Sequence, residues 1–251
     1  MTDSYGRAAG EFMKLLVLAD IHANWPALSA LEESFDACFV VGDIVDYGAD
    51  PVECIDWVRA NATAWVRGNH DHAVAQRVAP LGGSGLRGLA AATRPQHWDV
   101  LDAKRLSFLA KMPVQQHIQF DGHTHFLVHA TPRDPLDEYL GADERQWRKR
   151  LADIEADFVF VGHTHLPFHL DLGDKQLINP GSIGQPRDGD PRASYVVIED
   201  GRVEFKRYEY DIEAAIARLR EIGVEGPPFE LAEQILRTGG QTPSTPSNEP
   251  G

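Results

Sequence analysis

Leu15-Leu16-Val17-Leu18-Ala19-Asp20-Ile21-His22 decides how the rest of this chain is read. An unbroken apolar run that stops at an acid suits a strand buried on both faces. The same grammar returns downstream. CFVVGD (38–43) is a second apolar run ending in an acid, and TAWVRGNH (63–70) is a third, ending in a Gly-rich turn. Between them WPALSALEESF (25–35) and PVECIDWVRAN (51–61) have helical spacing, each with a proline near its start, where a missing N–H costs nothing. This is a βαβαβ series, and such a series predicts a parallel sheet.

Working outward, residues 72–112 have alanine and leucine periodicity broken by Gly82-Gly83-Ser84-Gly85 and by Pro95, which predicts helical segments joined by a flexible loop at 82–98. QHIQF, Asp121-Gly122 and HTHFLVHA then form a hairpin around a type I′ dipeptide. DEYLGADERQWRKRLADI (137–154) is expected to be helical, its charges a solvated face with Trp147 turned inward. DFVFVGHTH (157–165) is another buried strand, followed by hairpins at Gly173-Asp174 and Asp200-Gly201 and by helices in DIEAAIARLREIG and PFELAEQILRTGG. The expected organisation is one domain over 14–222 with a helical extension at 223–237. Segments 1–13 and 238–251 are too poor in apolar residues to offset the entropy of ordering.

The 251 residues carry 24 Lys+Arg against 38 Asp+Glu, a net charge of −14. Long nucleic acid and anionic membrane are thereby disfavoured as partners, since both require clustered positive charge. Cys38 and Cys54 have no Cys-x-x-Cys spacing and sit in apolar contexts, as buried free thiols do. The apolar run at 12–19 is interrupted by Lys14 and too short for a span. A soluble cytoplasmic protein is expected.

Five strand ends supply Asp20, His22, Asp43, Asn69, His70, His129, His163 and His165. In open α/β sheets the carboxyl ends of strands are where ligands bind. So many carboxylates, imidazoles and amides at one edge would confront each other unless a cation sat among them. Oxygen and nitrogen donors without thiolate suit Mn, Fe, Zn or Ni. There are too many for one ion, and two ions sharing a carboxylate fit the count.

The blocks Asp20-Ile21-His22, Gly42-Asp43-Ile44-Val45-Asp46, Gly68-Asn69-His70-Asp71, His129-Ala130 and Gly162-His163-Thr164-His165 resemble the motifs of the calcineurin-like metallophosphoesterases, in that family's order, over about 14–190. Asn179-Pro180-Gly181-Ser182 further resembles its compact bacterial and archaeal phosphodiesterase branch. The resemblance implies an α/β fold, a four-layer αββα sandwich of two facing mixed sheets flanked by helices. It implies one divalent ion held by Asp20, His22, Asp43 and His165, and a second held by Asp43, Asn69, His129 and His163. A bridging hydroxide would attack phosphorus in line, with His70 as general acid and Asp46 orienting it.

Gly-His-Thr-His also occurs at 122–125, but there it begins a strand, so 163 and 165 are taken as the ligands. Asn24 is open to two roles, substrate contact or helix cap, and Arg187 to phosphate binding or a loop ion pair. His72, His97, His117 and His169 are expected at the surface or in loops. Phosphoprotein phosphatases of the family carry Arg after the second acid of Gly-Asp-x-x-Asp, where this chain has Tyr47, so a small phosphodiester, nucleotides included, is the favoured substrate. The alternatives are a phosphoprotein phosphatase, a dinucleoside polyphosphate hydrolase and a non-catalytic metal-binding scaffold. A homodimer is left open.

Overall fold

The computed structural model describes residues 13–240. Nearly all of the expected terminal segments therefore lies outside the described residues, apart from Met13, which is buried, and Thr238–Gly240, where a helix ends.

The opening run forms β1 (Leu15–Leu18), joined through α1 (Trp25–Ser29) to β2 (Ala37–Val40) and through α2 (Pro51–Asn61) to β3 (Ala64–Trp65). β1, β2 and β3 pair in parallel, as the alternation predicts. The sheet is completed on its other side by β9 (Ala193–Glu199) and β10 (Arg202–Tyr208), antiparallel, giving the order β10-β9-β1-β2-β3. The second sheet has the order β4-β5-β6-β8-β7, with β4 at Gln115–Phe120, β5 at His123–Val128, β6 at Phe158–Phe160, β7 at Phe168–Asp171 and β8 at Gln176–Asn179.

Alternation along each strand sorts side chains into layers. Val17, Phe39 and Val196 of the first sheet meet Leu127, Phe160 and Ile178 of the second in a core between them. Leu16, Leu18 and Val40 point the other way, onto Leu28 of α1 and Ile55 of α2. Phe126 and Val128 pack on Trp147 of α6 (Glu144–Arg150), which is turned inward as expected. Each fully buried side chain of this kind contributes about 1.5–3 kcal/mol. The result is two mixed five-stranded sheets flanked by helices. The hairpin turns at Asp121-Gly122 and Asp200-Gly201 have positive φ at both residues, the type I′ geometry. Cys38 and Cys54 are buried free thiols.

Three expectations need correction. The stretch 82–98 is not a loop: α4 runs from Gly85 to Val100 with Pro95 inside it. Arg94 and His97 on either side of the proline bond to residues 46–48 and hold the helix across the lost N–H. Second, α1 is five residues long, because Asn24 caps it and the chain beyond Ala30 turns away, with Glu33 hydrogen-bonded to Lys14, Tyr195 and Lys206. Third, only Glu144–Arg150 of the 137–154 stretch is helical; Asp143 caps it, and the Gly141 carbonyl accepts the Trp147 indole N–H.

The C-terminal helices α7 (Ile212–Glu221) and α8 (Gly226–Thr238) are not a loose appendage. Ile216, Leu219 and Leu236 share a small core with Leu89 of α4 and Tyr47. Among the described residues no helix is long and apolar enough to cross a membrane.

Candidate metal centre

Every strand end named in the sequence converges on one edge. Asp20, His22, Asp43, His129, His163 and His165 are all buried there. They form two groups, Asp20 with His22 and His165, and Asp43 with His129 and His163; within each, one ligating atom per residue lies within 4.8 Å of the others. Asp43 Oδ2 stands between the groups, 3.2 Å from His129 Nε2 and 3.8 Å from His22 Nε2.

The backbone is bent to make this convergence. Eight of the eleven non-glycine residues with positive φ among those described lie here: Asp20, His22, Ala23, Asp43, Asp46, Tyr47, His163 and His165. Left-handed backbone costs such residues about 1–3 kcal/mol each and persists where surrounding structure over-determines it. Part of that structure is Asp71 on the first turn of α3 (Asn69–Ala75): its carboxylate accepts N–H bonds from Asp43 at 2.8 Å, Ile44 at 2.8 Å and Gly68 at 3.0 Å. Glycine is required at 42, where φ is +83° and a Cβ would come 2.7 Å from His129 Nδ1. Asn179 and Ser182 are fully buried. Asn179 donates to the Gly162 carbonyl at 2.7 Å and Ser182 to the Asp20 carbonyl at 2.7 Å, so the Asn-Pro-Gly-Ser turn braces two ligand loops.

Three of the four histidine rings are aimed by their other nitrogen. His22 Nδ1 faces the Val45 carbonyl at 3.2 Å, His129 Nδ1 that of Val41 at 2.8 Å and His165 Nδ1 that of Gln185 at 2.6 Å. With Nδ1 donating, Nε2 carries a lone pair toward the centre, the usual preparation of a metal-binding imidazole. His22 Nε2 and His165 Nε2 then face each other at 3.1 Å, two acceptors in contact. Asn69 Oδ1 and His163 Nε2 are buried without a hydrogen-bond partner, and His129 Nε2 has only the Asp43 carboxylate 3.2 Å away. Two divalent cations would satisfy all of these atoms, and the donor set fits them. Burial drives three of the four the same way, pushing His22 and His163 down to about 3 and His165 well below its ordinary value; His129 is the exception, where burial is outweighed by Asp43 and Asp20 and the value is raised to about 10 in the metal-free chain. Burial also raises Asp20 to about 7 against the field of His129. It would raise Asp43 too, but His129 and His70 outweigh it and hold that carboxyl well below its ordinary value.

A second cluster adjoins the ligands. His70 Nδ1 lies 2.7 Å from Asp46 Oδ2, and the His70 backbone N–H donates to Asp43 Oδ1 at 2.9 Å. Its ring lines an open cavity of about 250 Å³ with Asp43, Asn69, Tyr139, His163 and Arg187. Arg187 lies 5.8 Å above the Tyr47 ring and donates to Tyr139 Oη at 3.3 Å. Asn24 is a cap: Oδ1 accepts from Ala27 N–H at 3.1 Å and Nδ2 donates to the Gly184 carbonyl at 2.9 Å. His117 and His169 are exposed and His72 is half-buried, whereas His97 is fully buried, against expectation. Its Nδ1 accepts the Asp46 N–H at 3.2 Å and its Nε2 donates to the Gly48 carbonyl at 2.9 Å. Sequence reasoning quoted Asp71 in a motif without giving it a role, and passed over Thr93 and Arg94. Asp71 had a signal, an acid in a first helical turn after Gly; Thr93 and Arg94 had none.

The calcineurin-like phosphoesterase superfamily domain matches residues 13–201. An uncharacterised protein of Methanocaldococcus jannaschii is 34% identical over 82% of this chain and 91% of its own length. Phosphodiesterase YfcE of Escherichia coli is 28% identical over 75% of this chain and 88% of its own. Among solved structures, a metallophosphoesterase from Sphaerobacter thermophilus superposes with a TM-score of 0.76 at 32% identity, covering 91% of this chain and 99% of that one.

Proposed function

We propose, from the premise that this chain belongs to the calcineurin-like phosphoesterase superfamily and is a phosphoester hydrolase, that it is a phosphodiesterase with a dinuclear divalent-metal centre. The observation that carries the reading is the pair of buried ligand groups flanking Asp43, with His70 and Asp46 beside them. Asp20, His22, Asp43 and His165 would hold one ion, and Asp43, Asn69, His129 and His163 the other. When bound, the ions would supply Lewis acidity, activating water and drawing charge from the phosphoryl oxygens.

The chain's own residues do the rest. Asp46 holds His70 through Nδ1, which leaves Nε2 on the cavity side to protonate the departing ester oxygen. Arg187 is placed over Tyr47 at the cavity wall to contact phosphoryl oxygens. Tyr47 stands where a phosphatase of this family would present a further guanidinium. A monoester dianion gains more from that second cation than a diester monoanion does, and the diester-cleaving relative YfcE accords with the lean.

The test is hydrolysis of bis(p-nitrophenyl) phosphate against p-nitrophenyl phosphate by metal-stripped protein resupplied with Mn, Fe, Zn or Ni. Diester preference is expected with at least one of them. Monoester preference would indicate a phosphatase, cleavage of dinucleoside polyphosphates but of neither ester would indicate an anhydride hydrolase, and metal binding without turnover would indicate a scaffold.

A further inference from the structure

Asp46 is fully buried, and its carboxylate receives more than His70. On Oδ2, beside His70 Nδ1, converge Arg94 Nε at 2.9 Å and Arg94 Nη2 at 2.6 Å, and on Oδ1 the Thr93 hydroxyl at 3.2 Å. Arg94 is itself buried, and its Nη1 is tied to the Val78 carbonyl at 3.1 Å. His97, one turn along the same helix, accepts the Asp46 N–H. Helix α4 therefore grips Asp46 by backbone, by one oxygen through a rigid planar fork and by the other through a hydroxyl. Held at both oxygens, by two Arg94 N–H groups on Oδ2 and by the Thr93 hydroxyl on Oδ1, the carboxylate cannot turn about its Cβ–Cγ bond. A carboxylate fixed in plane fixes the ring that hydrogen-bonds to it.

We infer that Arg94 is a positioning residue for the acid step: it locks Asp46 so that His70 meets the leaving oxygen, and it thereby equips the site for esters whose leaving group is a basic alkoxide. This rests on His70 being the general acid. As the oxygen of water bonds to phosphorus, the P–O bond to the leaving group breaks and its electron pair stays on that oxygen. His70 Nε2–H supplies the proton that makes it an alcohol, and the proton released by the attacking water goes to solvent. A nitrophenolate or a phosphate released from an anhydride departs without that proton, whereas an alkoxide does not. A buttressed acid thus points to alkyl phosphoesters, such as those of sugar or glycerol hydroxyls, rather than to phosphoanhydrides.

The experiment compares wild type, Arg94→Gln, Arg94→Lys and His70→Asn, all metal-loaded, on methyl phosphodiesters that differ only in the basicity of the leaving group. Arg94→Gln should lose about 10- to 100-fold in kcat on the alkyl ester, the scale for a residue that orients another, with the nitrophenyl ester nearly unchanged. Arg94→Lys, which keeps the charge and loses the fork, should show the same selectivity at smaller size. In the metal-free chain the His70 Nδ1 proton should give a downfield NMR signal that broadens by exchange in both Arg94 variants. A loss equal on every ester, or no loss, while His70→Asn remains selective would overturn the role of Arg94 and leave the acid standing. Equal loss on every ester in His70→Asn would overturn the general acid and this inference with it.

Discussion

Gly-His-Thr-His occurs at 122–125 and again at 162–165, and the two copies have different fates. The first begins β5. Its His125 points into the core between the sheets, ring to ring with Phe158 at 5.3 Å and Phe160 at 5.8 Å, with Nε2 facing the Phe120 carbonyl at 3.2 Å. His123 is half-buried at the hairpin, edge-on to Phe158 at 5.3 Å. The second copy follows β6. There both histidines take positive φ, at 67° and 59°, and turn their rings onto Asp43 and Asp20. Strand alternation keeps the first pair, two residues apart, on one face of β5 with both rings against Phe158; leaving the strand frees the second pair to converge on the acids. Identical side chains become packing or ligand according to which end of a strand they occupy.

The largest contrast between the copies should appear in metal content. His165→Ala is expected to lose bound metal and fall to background activity, while His125→Ala, once folded, keeps its metal. Metal analysis of the two proteins decides this, and loss of metal in both would erase the distinction between the copies. Between these extremes His70→Ala should lower kcat on an alkyl phosphodiester by about 10²–10⁴ with both ions retained, which separates the acid from the candidate ligands; full activity on that alkyl ester would remove His70 from the reaction.

The next effect is on stability. Burial lowers the His125 pKa to about 4, below the unfolded value of about 6.5. The unfolded chain therefore binds more protons between those values, and the stability contributed by neutral His125 is lost as pH falls from about 6.5 toward 4, by on the order of 3 kcal/mol. His125→Phe, which keeps an aromatic ring in the stack, should flatten that part of the profile; urea unfolding of wild type and variant at pH 7 and pH 4.5 measures it, and parallel profiles would refute it. Smallest is His123→Ala, which loses a half-buried ring contact with Phe158 and is expected within about 1 kcal/mol of wild type in the same titration, with unchanged turnover.

Much of the candidate centre was legible because its donor residues follow buried strands, and a strand's apolar run and its terminal acid are adjacent in sequence. Asp20, Asp43, His129, His163 and His165 all announce themselves in that way. The residues that hold them do not. Arg94 lies 48 positions from Asp46, on a helix whose alanines and leucines advertise only a packing face. His97 has the same polar identity as the exposed His117 and His169, and only its two hydrogen bonds distinguish it. Pro95 signals a break by local rules, yet contacts made outside the helix overrule it.

Local sequence pattern accounts for the alternation of strands and helices, the parallel β1–β2–β3 part of the first sheet, the hairpin turns and which strand ends carry donors, because period and turn chemistry act within a few residues. Tertiary structure alone decided that α4 would close over Asp46, that α7 and α8 would pack beside Tyr47, and that Asp71 would brace the bent backbone of Asp43. Those contacts join residues far apart in the chain, and their geometry depends on how layers cross, which no local pattern encodes.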